Sequence, residues 1–246
     1  GVYALDSVFA QTRPADEVLV ADDGSTDDTV ARIEARYGAR VRVLRLPHRG
    51  LTPSRRASFD AAAGEWLAPL DADDWWESAK LERQEAFLGA HPEVRWCGTD
   101  GVYVAAEGVI RDSWFSDYFR PVREMTGDLL PPLIERCFPL VSSMLIERGA
   151  YARAGGYDLE IPYSQDYDLW LKLAAAHPGG MLAEPLIRYW SSAGQLSRRL
   201  EARDLDDYAL MRRVAAGRYR RDPALQRRGA ERAAALAFEL GIRTLR

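Results

Sequence analysis

Two short acidic clusters hold the residues best suited to chemistry: Asp71-Ala72-Asp73 and Asp22-Asp23-Gly24-Ser25. Hard divalent cations such as Mg²⁺ and Mn²⁺ prefer carboxylate, phosphate and water oxygens. A nucleoside diphosphate brings phosphate oxygens of its own, so one or two carboxylates complete such a site. Asp71 and Asp73 have the period-two spacing that points both side chains the same way from an extended strand end. One can take the metal while the other reaches ribose hydroxyls. Other uses fit the same triplet. Phosphatases and nucleases also set paired aspartates on strand ends, and a solvated loop with a helix cap has the same composition. Asp74 reads as a cap or dipole partner of the following helix. In the other cluster, Asp23 can accept a hydrogen bond from a base N–H or a ribose hydroxyl. Gly24 permits a tight turn there. A capped turn, with Ser25, Thr26 or Asp27 as N-cap, is the plainer reading of 22–27.

The elements that position these clusters follow from periodicity. Leu5, Val8, Phe9 and Thr12 have helical spacing over 3–12. Residues 17–21 read as a short buried strand running into Asp22. Val30, Ile33 and Tyr37 share one face of the next helix, which Gly38 ends. Residues 41–46 form a second strand, 54–63 a helix, and 66–70 a third strand that ends at Asp71. Pro69 is unexpected inside a central strand. A helix follows over 78–90. This alternation predicts an α/β fold with a mostly parallel sheet covered by helices. Ligands of such sheets bind beyond the carboxyl ends of the strands, and both acidic clusters sit at such ends.

The second half is less regular. Residues 94–97, 102–105 and 109–111 read as strands, 128–137 as a helix, 140–146 as a strand, 166–176 as a helix and 186–190 as a strand. From Glu201 the chain is rich in Arg and Ala and reads as two helices broken at Asp222-Pro223.

Composition bounds the function. The 246 residues are enough for a substantial core. A net charge of −4 gives no global reason to expect nucleic-acid binding. No apolar run approaches the roughly 18 residues that cross a bilayer, and no signal peptide is visible. Cys97 and Cys137 read as buried free thiols of a reducing compartment. With histidines only at 48, 91 and 177, a His/Cys zinc site is not expected.

Three ordered blocks carry a resemblance. They are 4–12 followed by 17–29, then 63–75, then Gly155-Gly-Tyr-Asp158 with Gln165-Asp-Tyr-Asp-Leu-Trp-Leu-Lys-Leu-Ala174. Together they resemble the family 2 glycosyltransferases over about residues 4–197. The resemblance implies a GT-A fold, with a central sheet between helices and a helical C-terminal extension. It divides the chain into a glycosyltransferase domain at 1–198 and an extension at 199–246. Residues 1–98 would be the nucleotide-binding half and 99–198 the acceptor half. It implies metal-dependent, inverting transfer of one sugar from a nucleoside diphosphate, most often UDP, to a glycan or lipid-linked hydroxyl. Carried over by position, Asp23 reads the base and Arg55 lies near the base or diphosphate. Asp71 contacts the ribose, Asp73 binds Mn²⁺ or Mg²⁺, and Asp166 is the catalytic base. Inversion needs a single base on the face opposite the leaving diphosphate. Asp168 points to another side of its helix.

The sequence departs from the family in places. The family begins with a strand before the first helix, which this sequence lacks; either the chain is truncated there or the sheet is incomplete, with exposed strand edges. Gln165 stands where Glu is usual, and Arg56 where Asn is usual. After Tyr189 come Trp-Ser-Ser-Ala-Gly, where an Arg and often a metal-binding His are usual, so the metal would lean on Asp73 and water. The Gln-x-x-Arg-Trp signature of processive synthases is absent, which favours one sugar at a time.

Trp114, Phe115, Tyr118 and Phe119 could stack on a sugar, line a lipid-facing groove or pack in the core. The Arg-rich tail reads as a solvated helical face or a contact with anionic lipid. Cell-envelope glycan assembly at the cytoplasmic side, with peripheral membrane contact, is the family-level expectation. Two rival readings remain: a non-catalytic glycosyltransferase-like nucleotide-binding module, and a metal-dependent phosphohydrolase.

Overall fold

Ile33 and Tyr37 lie one helical turn apart on the apolar side of α2 (Thr29–Tyr37), and that spacing builds the first layer. They meet Leu5 of α1 (Val2–Phe9) and Val41, with Val20 of β1 (Leu19–Asp22) and Val43 of β2 (Arg42–Arg45) packed alongside. Gly38, at φ +55°, ends α2 and turns the chain toward β2. β1 and β2 pair in parallel, as the intervening helix requires. The computed structural model describes residues 2–191 and 200–241.

The larger sheet has the order β3-β8-β5-β9-β4. Its strands are β3 (Trp66–Leu67), β4 (Trp75–Trp76), β5 (Trp96–Ala105), β8 (Leu145–Glu147) and β9 (Gly179–Trp190). β6 (Gly108–Arg111) pairs with β5, and β7 (Met125–Gly127) with β9. Neighbouring residues on these strands face opposite sides. Trp96, Ile146 and Met181 enter one apolar cluster with Leu169 and Leu173 of α7 (Gln165–Ala176). Cys97, Leu145 and Leu182 enter another with Phe87 of α4 (Lys80–Ala90). Helices therefore cover both faces. At Gly180 a Cβ would lie 2.4 Å from the Phe87 ring, so only glycine lets α4 approach so closely.

The first cluster also takes Leu133 of α5 (Leu130–Glu135), Leu210 of α8 (Leu200–Ala215) and Leu236 of α9 (Pro223–Glu239). Asp222 caps α9, accepting from the Ala224 and Leu225 amides, which is why the helix restarts at Pro223. Phe115 is fully buried in the same cluster, with Trp114, Tyr118 and Phe119 half-buried against it. Trp114 Nε1 donates to the Phe138 carbonyl at 2.7 Å. Core packing thus accounts for these aromatics. Arg213 and Arg220 of the basic tail are tied to Asp158 and Asp128 at 2.8 and 2.6 Å.

Several expectations need correction. The sheet is mixed rather than mostly parallel. β1–β2 and β5–β9 are parallel, but β3–β8, β5–β8, β4–β9, β5–β6 and β7–β9 are antiparallel. Strand–helix alternation stops after β3, and a tight turn such as that joining β5 to β6 permits only antiparallel pairing. β3 stops at Leu67, before Pro69, which offers no N–H to a ladder. The strand expected over 140–146 is a 3-10 turn, Val141–Ser143, followed by the short β8. Two strands expected at 94–97 and 102–105 are one, β5. A short helix, α6 (Arg148–Arg153), had no clear sequence signal. Among the described residues β1 has a neighbour only in β2, and β3 only in β8.

Candidate active site

Three consecutive residues of α3 (Leu51–Ala61) join the three sequence blocks. Ser54 Oγ donates to Asp23 at 2.8 Å. Arg55 Nη2 donates to Asp71 Oδ1. Arg56 Nη1 donates to the Tyr157 carbonyl at 2.8 Å. α3 is thus the bolt between the two acidic strand ends and the loop before α7.

Asp23 follows β1. Its Oδ1 accepts from the Arg49 amide at 2.9 Å as well as from Ser54, and its Oδ2 accepts from the Gly50 amide at 2.9 Å. His48 Nδ1 lies 2.9 Å from Oδ2. Burial pushes the Asp23 carboxyl up, but the Arg49, Ser54 and Gly50 bonds outweigh it and hold it below the ordinary value. All four lone-pair positions are engaged, so Asp23 orders the 47–50 loop rather than presenting a bare carboxylate. Gly24, at φ +78°, allows this: a Cβ there would lie 2.9 Å from the His48 nitrogen.

The Asp71–Asp74 turn is fixed from two sides. Ser142 Oγ accepts from the Asp71 amide at 3.1 Å and donates to Asp74 Oδ2 at 2.6 Å. The Trp190 amide at the end of β9 donates to Asp74 Oδ1 at 2.9 Å. Asp74 is buried and is not a helix cap: α4 begins only at Lys80, because Trp75 and Trp76 pair with β9 instead. Burial pushes its carboxyl up to about 7, with the Ser142 bond opposing. Asp73 is exposed on the same turn. Among the described residues no three His, Cys, Asp or Glu side chains form a metal cluster. The exposed Asp73 still suits a hard cation whose other ligands are phosphate oxygens and water.

Arg55 is nearly enclosed, its side chain 12% exposed. Burial disfavours its charge, but Asp71 and then Asp166 outweigh that and keep it protonated. With the Gln165 amide turned so that both its ends are satisfied, its oxygen accepts from Arg55 Nη1 at 2.8 Å. Gln165 opens α7, and Asp166 follows, half-buried in the first turn. Burial pushes the Asp166 carboxyl up; Arg55 and the Tyr167 amide, the latter 2.9 Å from Oδ1, oppose this in part. Asp168 is fully buried and paired with Lys172 at 2.5 Å, away from this cluster.

The structure therefore brings Arg55, Asp71 and Asp166 together, with Asp73 beside Asp71 and Asp23 linked through Ser54. Ser54, Ser142 and the tie through Gln165 had no sequence signal of their own. The segment after Ser191, including the Ser-Ala-Gly departure, lies outside the described residues, as does the boundary expected at 198/199.

The sequence model of glycosyl transferase family 2 matches residues 2–147. The chain belongs to this family. An uncharacterised protein of Mycobacterium tuberculosis is 33% identical over 196 residues, covering 76% of this chain and 53% of that protein. A UDP-Glc:alpha-D-GlcNAc-diphosphoundecaprenol beta-1,3-glucosyltransferase of Escherichia coli is 27% identical over 176 residues, covering 70% of this chain and 64% of the relative. The chain thus spans less than two thirds of the length of either relative. Among solved structures, S. aureus TarS 1–349 in complex with UDP-GlcNAc superposes with a TM-score of 0.74 at 19% identity, over 99% of this chain and 72% of that one. Family 2 membership and this superposition identify the fold as GT-A.

Proposed function

We propose that this chain is a metal-dependent, inverting glycosyltransferase. It moves one sugar from a nucleoside diphosphate sugar, UDP being the favoured nucleotide, to a hydroxyl of a glycan or lipid-linked acceptor. The observation that carries the reading is the Arg55 bridge, which sets Asp71 of the donor half against Gln165 and Asp166 at the start of α7. The names of the E. coli relative and of the TarS complex, each with a UDP-sugar, support the donor class. Work at the cytoplasmic face of the membrane, in peripheral contact with it, fits such an acceptor. Among the described residues no helix is long and apolar enough to cross a membrane.

In this reading Asp166 takes the proton of the acceptor hydroxyl. The acceptor oxygen bonds to the anomeric carbon as the bond to the leaving diphosphate breaks on the opposite face, inverting that carbon. One base suffices, and a carboxyl held above its ordinary value suits proton uptake nearer neutral pH. A divalent cation, when bound, would neutralise charge on the leaving diphosphate, and Asp73 would hold it. Arg55 keeps Asp71 aimed at the ribose side, and Asp23 fixes the 47–50 loop beside the base.

The test is a thermal shift with UDP, GDP and dTDP, each with and without Mn²⁺, beside Asp73→Ala. A rise that needs both UDP and metal, and is lost in the variant, is the expected result. No rise with any nucleotide, in a protein that still melts cooperatively, would sink the reading. Nucleotide binding without sugar transfer would mark a non-catalytic relative. Phosphate release from simple esters, indifferent to nucleotide, would mark a phosphohydrolase.

A further inference from the structure

The segment 156–164 that leads into α7 has neither helix nor strand to hold it. Its aim depends on side-chain bonds: Arg56 of α3 and Lys172 of α7 hold the Tyr157 and Gly156 carbonyls at 2.8 and 3.2 Å, and the residues next to α7 are held from α8. Asp206 Oδ2 accepts from the Tyr163 amide at 2.8 Å and the Ser164 amide at 3.1 Å. Ser164 is the N-cap residue of α7, yet its side chain makes no capping bond. Its hydroxyl instead donates to Asp207 Oδ1 at 2.6 Å.

A second grip lies two turns along the same helix. Arg213, seven residues after Asp206, shares its face. It pairs with Asp158 at 2.8 Å and approaches Asp168 at 3.5 Å. Tyr219, just beyond α8, donates to Asp168 Oδ1 at 2.7 Å. α8 therefore holds the loop before α7 at both ends and α7 itself near its start. Leu210 and Met211, fully buried, and Val214, nearly so, anchor α8 in the main apolar cluster.

We infer that α8 belongs to the catalytic machinery: Asp206 and Asp207 are positioning residues that fix Tyr163 and Ser164, and thereby aim Gln165 and Asp166 at Arg55 and Asp71. This rests on the reading of Asp166 as the general base. α8 lies beyond the residues matched by the family. Burial pushes the Asp207 carboxyl up to about 6 against the Ser164 bond, and Asp166 adds to that rise. An acid retained where burial penalises it, with its oxygen on Ser164, fits a positioning role.

The test uses the whole chain and the variants Asp206→Ala, Asp207→Ala, Asp206→Asn and Ser164→Ala. Hydrogen exchange is followed by mass spectrometry across 160–168. Loss of one or two of these bonds is expected to speed exchange at 163–167 about tenfold, with α9 unchanged. Asp206→Asn keeps an acceptor oxygen and is expected to stay within about twofold of the parent. Ser164→Ala removes the Asp207 tie without altering α8, so it decides the matter if the α8 variants fold poorly. UDP release from UDP-glucose or UDP-GlcNAc, with water as acceptor, is the second readout. The alanine variants are expected to lose about tenfold in kcat while donor KM stays within about twofold. A purely structural role would lower Tm and leave kcat per folded molecule unchanged. Unchanged exchange at 163–167 in all three alanine variants, or unchanged kcat with faster exchange, would overturn the inference. No UDP release by the unaltered chain would count against the donor reading instead, and the exchange data would still decide whether α8 holds the segment.

Discussion

The guanidinium of Arg55 spans two halves of the site: Nη2 donates to Asp71 in the turn beyond β3, and Nη1 donates to Gln165 at the start of α7. Few side chains can do this. The rigid fork of an arginine offers two donors at a fixed angle, whereas a lysine offers one point charge. Its neighbour Ser54 fixes Asp23 from the same turn of helix. A small shift of α3 therefore moves both acidic clusters together relative to Asp166.

Arg55→Lys is expected to keep the charge but lose one of the two ties. Arg55→Ala loses both and leaves Asp71 without its cation. Asp71 is about a third exposed, so solvent screens part of the loss, and about 1–2 kcal/mol of stability is expected to go. Activity should fall further than stability, by roughly a hundredfold for Ala and less for Lys, because misplacement of reacting groups is costly. UDP release and a denaturant melt measure the two effects. An Ala variant with full activity would remove Arg55 from the site.

As the proposed base, Asp166 would act only when deprotonated. Burial holds its carboxyl above the ordinary 3.8, so the rate should fall as pH drops through a value above that. Asp166→Asn is expected to cost about 10²–10⁴ in kcat and to abolish this acid limb. UDP-induced thermal shift should survive, because the proposed donor contacts are on Asp71 and its neighbours. A pH–rate profile from about 4 to 9 on both proteins checks this. The same limb persisting in the variant would assign it to another group.

Much of the site was legible because its residues stand at strand ends and helix starts. Asp23 follows β1, Asp166 stands in the first turn of α7, and Asp71 follows the stretch 66–70 that reads as a strand. What was hidden depends on distant partners. Ser142 reaches the Asp71 turn from a 3-10 turn some 70 residues away, and nothing in its neighbourhood marks it. Trp75-Trp76 is too short to show a period and becomes a strand only because β9 pairs with it. That pairing turned Asp74 from an expected cap into a buried tie. The mixed sheet was hidden for the same reason: direction is set by which strands pair, not by local composition, and β3, β4, β7 and β8 are only two or three residues long. Asp206 and Asp207 stand in the Arg-rich stretch that reads as a solvated helical face or a lipid contact, and only the packing of α8 showed their partners.

Lys80 gives a prediction independent of catalysis. It is fully buried, with Nζ 2.8 Å from Gln84 Oε1, 3.4 Å from the Met144 carbonyl and 4.3 Å from the centre of the Trp76 ring. Burial pushes its ammonium down from 10.5 to about 7. The sign follows. Between about pH 7 and 10.5 the unfolded chain binds a proton at this lysine that the folded chain has released, so stability rises with pH through that window. Below about pH 7 both states are protonated and the full cost of burying the charge remains. At about 1.4 kcal/mol per unit the effect has an upper bound near 5 kcal/mol, reduced by relaxation. Lys80→Met removes the charge but leaves the Gln84 oxygen without its donor, a loss of about 1–3 kcal/mol. The variant is therefore expected to match or exceed the parent by about 1–2 kcal/mol at pH 6, and to lose the rise toward pH 10. Urea melts of both proteins at pH 6, 8 and 10 measure it, and a parent whose stability is flat across that range would show that Lys80 keeps an ordinary pKa in the folded chain.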